Sequence, residues 1–167
     1  MLQPSGVAYT ENMRRAQAMD LVYLKGTGED EIWETRFSFH GFRYVEIQGL
    51  DTFKALADYG KEEIPVDTVT GLVWHSECVP TGDFECSHPK VNQLVSNIKW
   101  SWRGNSLDIP TDCPQRDERL GWTGDAQIFV RTATYLFDTA AFYRKWLVDL
   151  EDEQYPDGMV TDIAPTI

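Results

Sequence analysis

Cysteine is scarce and oddly numbered in this chain. Its 167 residues hold three cysteines, Cys78, Cys86 and Cys113, with no CxxC spacing and no histidine pattern beside them. That speaks against a disulfide scaffold and against a zinc site. No apolar run reaches the roughly 18 residues that a membrane span needs, so no membrane is expected as partner. The opening Met-Leu-Gln-Pro-Ser-Gly lacks the charged-then-apolar layout of a signal peptide. With the odd cysteine count, this favours a reduced, cytoplasmic setting. Positive charge is also short: 15 Lys and Arg stand against 27 Asp and Glu, a formal net charge of -12. Such a balance disfavours a nucleic-acid backbone or an anionic membrane surface as partner. The acidic residues show no D-x-D-x-D-G calcium-loop pattern, so neither metal nor cofactor is expected. Internal repeats and low-complexity stretches are missing as well.

What is present is enough for a core: 42% of the residues are hydrophobic and 13% aromatic. The first half reads as strands. Met19–Lys25 is a short apolar run closed by Gly26-Thr-Gly28, a strand and a turn. In Glu31–His40 the residues Trp33, Thr35, Phe37 and Phe39 alternate with Glu34, Arg36 and Ser38, the period of a strand with one buried face. Gly41 then predicts a bend, a bulge or a close backbone approach before Phe42–Gln48 resumes as strand. Arg36, His40 and Arg43 read as a polar sheet face rather than as ligand contacts. Phe53–Tyr59 has partial helical spacing, and Val66–His75 is another strand. Residues 1–79 are therefore expected to be part of an antiparallel β-sandwich.

From residue 80 the pattern changes to helices. Ser87 is placed to cap a helix with Pro89 in its first turn, and Val91, Leu94, Val95, Ile98 and Trp102 form its apolar stripe up to Gly104-Asn105. A second helix is expected behind an Asp125 cap, with Ile128, Phe129, Thr132, Tyr135 and Leu136 inward. A third is expected behind Asp138, with Ala141, Phe142, Trp146, Leu147 and Leu150 inward, ending near Gln154.

Between the first two helices lies Asp108–Asp125, with five carboxylates, two arginines, Trp122, two prolines and two glycines. It carries no apolar periodicity. Pro110 and Pro114 fix backbone angles, while Gly121 and Gly124 permit turns. A stiff, charged loop feeding a buried helix is how an active site is mounted on a scaffold. Asp112, Asp117, Glu118 and Asp125 offer a cradle for hydroxyl groups and a proton donor. Arg116 and Arg119 can hold neighbouring carboxylates ionised, and Trp122 offers a flat apolar face. Plainer readings stand beside these: Asp125 as a helix cap, Asp117 and Arg119 as salt-bridge partners, Trp122 as core, Cys113 as a small buried filler. By themselves the spacings imply a polyhydroxylated ligand and acid catalysis.

The run Ile109-Pro-Thr-Asp-Cys-Pro-Gln-Arg-Asp-Glu-Arg-Leu-Gly-Trp-Thr-Gly-Asp-Ala-Gln127 resembles the signature of bacterial α-L-rhamnosidases of glycoside hydrolase family 78. The resemblance extends to Trp33–Glu46 and Gly82–Ser87. It implies β-sandwich domains joined to an (α/α)6 barrel, so that residues 1–79 would close a sandwich and residues 80–167 would begin the catalytic barrel. It implies hydrolysis of terminal α-L-rhamnosyl groups with inversion, and a rhamnose-containing glycoside as substrate. By motif position Glu118 would be the general acid. Asp112, Arg116 and Asp125 would bind rhamnose hydroxyls, and Trp122 would line the pocket. Inversion also needs a base, and nothing after Asp125 matches the family's late glutamate. The chain is therefore expected to be an internal fragment of a larger enzyme, inactive alone. A non-catalytic carbohydrate-binding or structural module is the alternative.

Overall fold

In the computed structural model, residues 2–49 and 68–167 are described. Three helices carry the core: α1 (Pro89–Gly104), α2 (Thr123–Leu136) and α3 (Ala140–Asp152). Between α1 and α2 a two-residue antiparallel pair forms, β1 (Ser106–Leu107) against β2 (Ile109–Pro110), with Leu107 opposite Ile109. Asp108 turns this hairpin at a φ of 66°.

Each helix follows from its sequence with local corrections. In α1 proline sits at the start, where its missing N–H costs nothing. The cap position belongs to His88 rather than Ser87, and no side chain there bonds the helix. Trp102 is buried, and Val95 and Ile98 pack against the core, but Leu94 is largely exposed. The inward face of α2 is Ala126, Phe129, Val130, Ala133 and Leu136, so the expected stripe is rotated; Ile128 and Tyr135 point outward. The rotation has a packing reason. Trp102 stacks against Phe129 and Phe137, with ring centroids 6.2 and 5.8 Å away, and the small Ala126 and Ala133 are buried in the same core. In α3, Phe142, Tyr143 and Trp146 are buried while Ala141 and Leu147 are exposed. Thr139 is the formal cap, yet the Asp138 carboxylate accepts the Ala140 N–H at 3.2 Å, so Asp138 still satisfies a first-turn donor. Tyr143 packs edge-on to Phe142 and Trp146, and burial pushes its phenol up to about 12.

The strands expected before residue 80 are not formed among the described residues, which show only the isolated bridge Leu2–Ala8 on that side of the boundary. Met19–Lys25 and Phe42–Gln48 run without ladder partners. Glu31–His40 departs from alternation because the chain bends at Arg36-Phe37, where Phe37 takes a φ of 59° and points into solvent. A strand exists only through backbone hydrogen bonds to a neighbour, and among the described residues these segments make none. The expectation for Phe53–Tyr59, and the start of that for Val66–His75, lie outside the described residues.

One expectation about the first half holds. A Cβ on Gly41 would lie 2.8 Å from Pro114 Cγ and 3.0 Å from the Gln115 nitrogen, so Gly41 marks a close backbone approach to the charged loop. The other end of the loop is fixed by the segment after α3. Thr123 donates its N–H to Asp162 at 2.9 Å, Ala164 donates to Gly121 at 3.0 Å, and the buried Trp146 indole donates to Ala164 at 3.0 Å.

Candidate active site

The loop after β2 folds back on itself through Asp112. Its backbone N–H donates to the Leu120 carbonyl at 3.1 Å, and its Oδ1 accepts the Leu120 N–H at 2.9 Å. One residue thereby ties both ends of the turn that holds Cys113–Arg119. Burial works to raise the Asp112 carboxyl, but hydrogen bonds from the Cys113 thiol, the Leu120 N–H and Arg116 outweigh it, and the group lies below its ordinary value.

Arg116 is the hub of the cluster. Its Nη2 lies 2.9 Å from Glu118 Oε2 and 3.4 Å from Asp112 Oδ2. Cys113 first, then Glu118 and Asp112, hold its guanidinium above the usual arginine value. The other oxygen of Glu118 accepts the Trp122 indole N–H at 3.1 Å. Glu118 and Trp122 are four residues apart, and this bond links the loop to the first residues of α2. A further guanidinium, that of Arg14, reaches Glu118 Oε2 at 3.0 Å from the N-terminal segment. The Glu118 carboxylate is thus partly buried and bonded at both oxygens.

Of the five residues singled out from the sequence, Asp112, Arg116, Glu118 and Trp122 are joined in this network. Asp125 is not. It is the third residue of α2, exposed, with no capping bond, and it lies in the first turn, where a negative charge favours the helix dipole. Asp117 is exposed, and Arg119 does not pair with it. Arg119 instead donates to the Phe39 carbonyl at 2.8 Å and lies 4.2 Å over the Phe39 ring, with its own backbone at a φ of 55°. Cys113 is buried, as a filler would be, yet it also contacts the two charged groups beside it.

The first half of the chain therefore forms a wall of the site. His40 sits 2.8 Å from Asp20 and lines a groove of about 380 Å³ with Ser38, Phe39, Gln115, Arg116 and Asp117. The expected polar sheet face is not formed: Arg36 and Arg43 are exposed and belong to no sheet, whereas His40 is half-buried against the groove. Arg14 and Phe39 carried no signal in the sequence, because their partners lie 104 and 80 residues away.

Asp112, Cys113 and Glu118 bring their ligand-type atoms within 4.8 Å of one another. Arg116 lies between the two carboxylates and already supplies the positive charge that a cation would bring. The arrangement is chemically suited to donating a proton from one carboxyl to an oxygen placed above the loop, while Asp112 and the arginines offer polar contacts to hydroxyl groups.

Comparison with known proteins adds two family matches. Residues 80–167 match the bacterial alpha-L-rhamnosidase 6 hairpin glycosidase domain. Residues 1–73 match the bacterial alpha-L-rhamnosidase concanavalin-like domain. An alpha-L-rhamnosidase of Streptomyces avermitilis is 50% identical over 167 residues, which is 100% of this chain and 15% of that protein. One from Formosa agariphila is 44% identical over 100% of this chain and 17% of its own length. The crystal structure of the Streptomyces avermitilis alpha-L-rhamnosidase complexed with L-rhamnose superposes with a TM-score of 0.87 at 49% identity, over 100% of this chain and 15% of that one. The native enzyme from Aspergillus terreus gives a TM-score of 0.75 at 45% identity, over 92% and 17%. The chain spans about a sixth of the length of these relatives.

Proposed function

From its match to the rhamnosidase six-hairpin domain over more than half its length, the chain belongs to the bacterial α-L-rhamnosidase family, and we propose that it is part of a glycoside hydrolase acting on terminal α-L-rhamnosyl groups. The proposal divides the chain at residues 79 and 80, with a sandwich-derived part before and the start of an (α/α)6 barrel after. The two family matches, which end at residue 73 and begin at residue 80, support that division. The substrate is a rhamnose-containing glycoside.

In this reading Glu118 is the general acid. Its proton passes to the glycosidic oxygen as the bond from that oxygen to the anomeric carbon breaks, and the bonding electron pair leaves with the oxygen. Water then attacks the opposite face of the sugar and loses its proton to a second carboxylate. For inversion that base stands about 6.5–9.5 Å from the acid. It is supplied from outside these 167 residues. Asp112, Arg116 and Asp125 bind rhamnose hydroxyls, and Trp122 lines the sugar pocket; Asp125 is exposed in the first turn of α2. The observation that carries the reading is the Glu118 carboxylate, bonded at one oxygen by Arg116 and at the other by the Trp122 indole, within a loop that Asp112 closes.

The test is release of rhamnose from an alkyl rhamnoside by the whole protein that carries this chain. Its poor leaving group needs protonation, so Glu118→Gln is expected to lower kcat by about a hundredfold or more. The 167 residues alone are expected to release none. Undiminished turnover by Glu118→Gln would remove Glu118 from this role.

A further inference from the structure

Among the described residues, Arg14 is the one group in the Glu118 network that comes from the first half of the chain. It follows a short 3-10 turn, Glu11–Met13, whose own hydrogen bonds, Met13 to Thr10 at 2.9 Å and Ala16 to Met13 at 3.1 Å, fix the segment on both sides. Its backbone sits at φ 56°, a region that residues with a Cβ avoid. A non-glycine residue persists there only when its surroundings determine it. What its side chain reaches is a single atom, Oε2 of Glu118, at 3.0 Å.

We propose that Arg14 is a positioning residue for the acid step, stabilising the carboxylate that Glu118 becomes as its proton leaves. The proposal rests on Glu118 being the acid. Around that carboxylate the charged side chains are Asp112 and Arg116 from the loop and Arg14 from the N-terminal segment, with Cys113 and the Trp122 indole completing the surroundings. Two guanidiniums balance two carboxylates. While Glu118 holds its proton the cluster carries one excess positive charge, and proton transfer to the glycosidic oxygen brings it to neutrality. Without Arg14 the same transfer would leave one uncompensated negative charge. A preplaced charge that is matched only after transfer stabilises the transition state more than the ground state. Arg14 is more than half exposed, so its pairing contributes little to folding stability, and its effect falls on the reaction instead.

This role separates from a structural one by the leaving group. Protonation matters for an alkyl rhamnoside and hardly at all for a dinitrophenyl rhamnoside, whose phenolate departs unaided. Both substrates are to be assayed with the whole protein and its Arg14→Met, Arg14→Lys and Glu118→Gln variants. Arg14→Met is expected to lose about tenfold in kcat on the alkyl substrate and less than about twofold on the dinitrophenyl one, with Arg14→Lys recovering part of the loss. Turnover of the dinitrophenyl substrate shows that each variant is folded. An equal loss on both substrates, or no loss on either, overturns the role of Arg14 while leaving the acid reading standing if Glu118→Gln is impaired on the alkyl substrate. Full alkyl turnover by Glu118→Gln removes the acid reading and the proposal with it.

Discussion

At the scale of single residues, the loop works by giving each charged group more than one duty. Asp112 closes the turn through Leu120 and at the same time faces Arg116. Because its carboxyl lies below the ordinary value of about 4 in the fold, its ionised form contributes stability above that pH, and the contribution is lost as pH falls through the lowered value. Asp112→Asn is therefore expected to lower the thermal midpoint at neutral pH, with the difference from the native chain shrinking as pH falls below about 4, by linkage of this carboxyl. Melting curves across that range check it; a difference that stays constant with pH would show that only packing was changed. Much of this site was legible in the chain. Prolines, glycines and alternating charges marked a stiff loop, and Glu118, Asp112, Arg116 and Trp122 are joined there. The cap expected at Asp125 falls to Trp122, because an acidic residue before an apolar run reads alike at the cap and in the first turn of the helix. Arg119 reads as a salt-bridge partner in sequence because its carbonyl and ring acceptors on Phe39 leave no trace there.

At the scale of elements, the three helices were visible from periodicity, and their ends fell close to the expected places. What periodicity could not fix was rotation. In α2 several residues of similar hydropathy compete for the core, and the seat opposite Trp102 goes to Phe129 with Ala126 and Ala133 beside it. The end of α2 is held by residues that precede α1: Thr81 and Gly82 both donate to the Leu136 carbonyl, at 3.0 and 3.2 Å. A Cβ on Gly82 would fall 1.7 Å from the Tyr135 carbonyl oxygen, a contact with backbone that no rotamer change relieves. Gly82→Ala is thus expected to destabilise the chain by about 3 kcal/mol or more. Chemical denaturation measures this, and a change under about 1 kcal/mol would mean that the segment shifts away without cost.

At the scale of the whole molecule, the two parts of the chain differ in how they dispose of apolar surface. The helical part gathers Trp102, Phe137, Phe142, Tyr143 and Trp146 into one aromatic core. The first part leaves Met19, Tyr23, Ile32 and Phe37 largely or wholly in solvent. Exposed apolar surface of that extent promotes association. The isolated 167-residue chain is expected to bind a hydrophobic dye and to sediment as more than a monomer at micromolar concentration. A dye-silent monomer would show that this surface is covered in solution. Among the described residues the first part nonetheless touches the loop at four places, Arg14 on Glu118, Phe39 under Arg119, Gly41 against Pro114 and the Ser76 hydroxyl accepting the Asp108 N–H at 2.7 Å. It is a wall of the site as well as a neighbour of the helices.

The sequence by itself determined the helices, the stiff loop between them and the acidic, arginine-laced chemistry of that loop, because each of these depends on residues close together in the chain. It also predicted strands from alternation alone, and alternation is not sufficient: a strand needs a partner, which nearby residues do not specify. Only the tertiary structure decided which face of α2 is buried and that Asp125 stands apart from the Glu118 network. It likewise decided that Arg14 and Arg119 bind across 104 and 80 residues. Such contacts are set by how segments pack, and distance along the chain conceals them. The loop between α1 and α2 is thus defined twice, locally by its own residues and at long range by the segments that hold it.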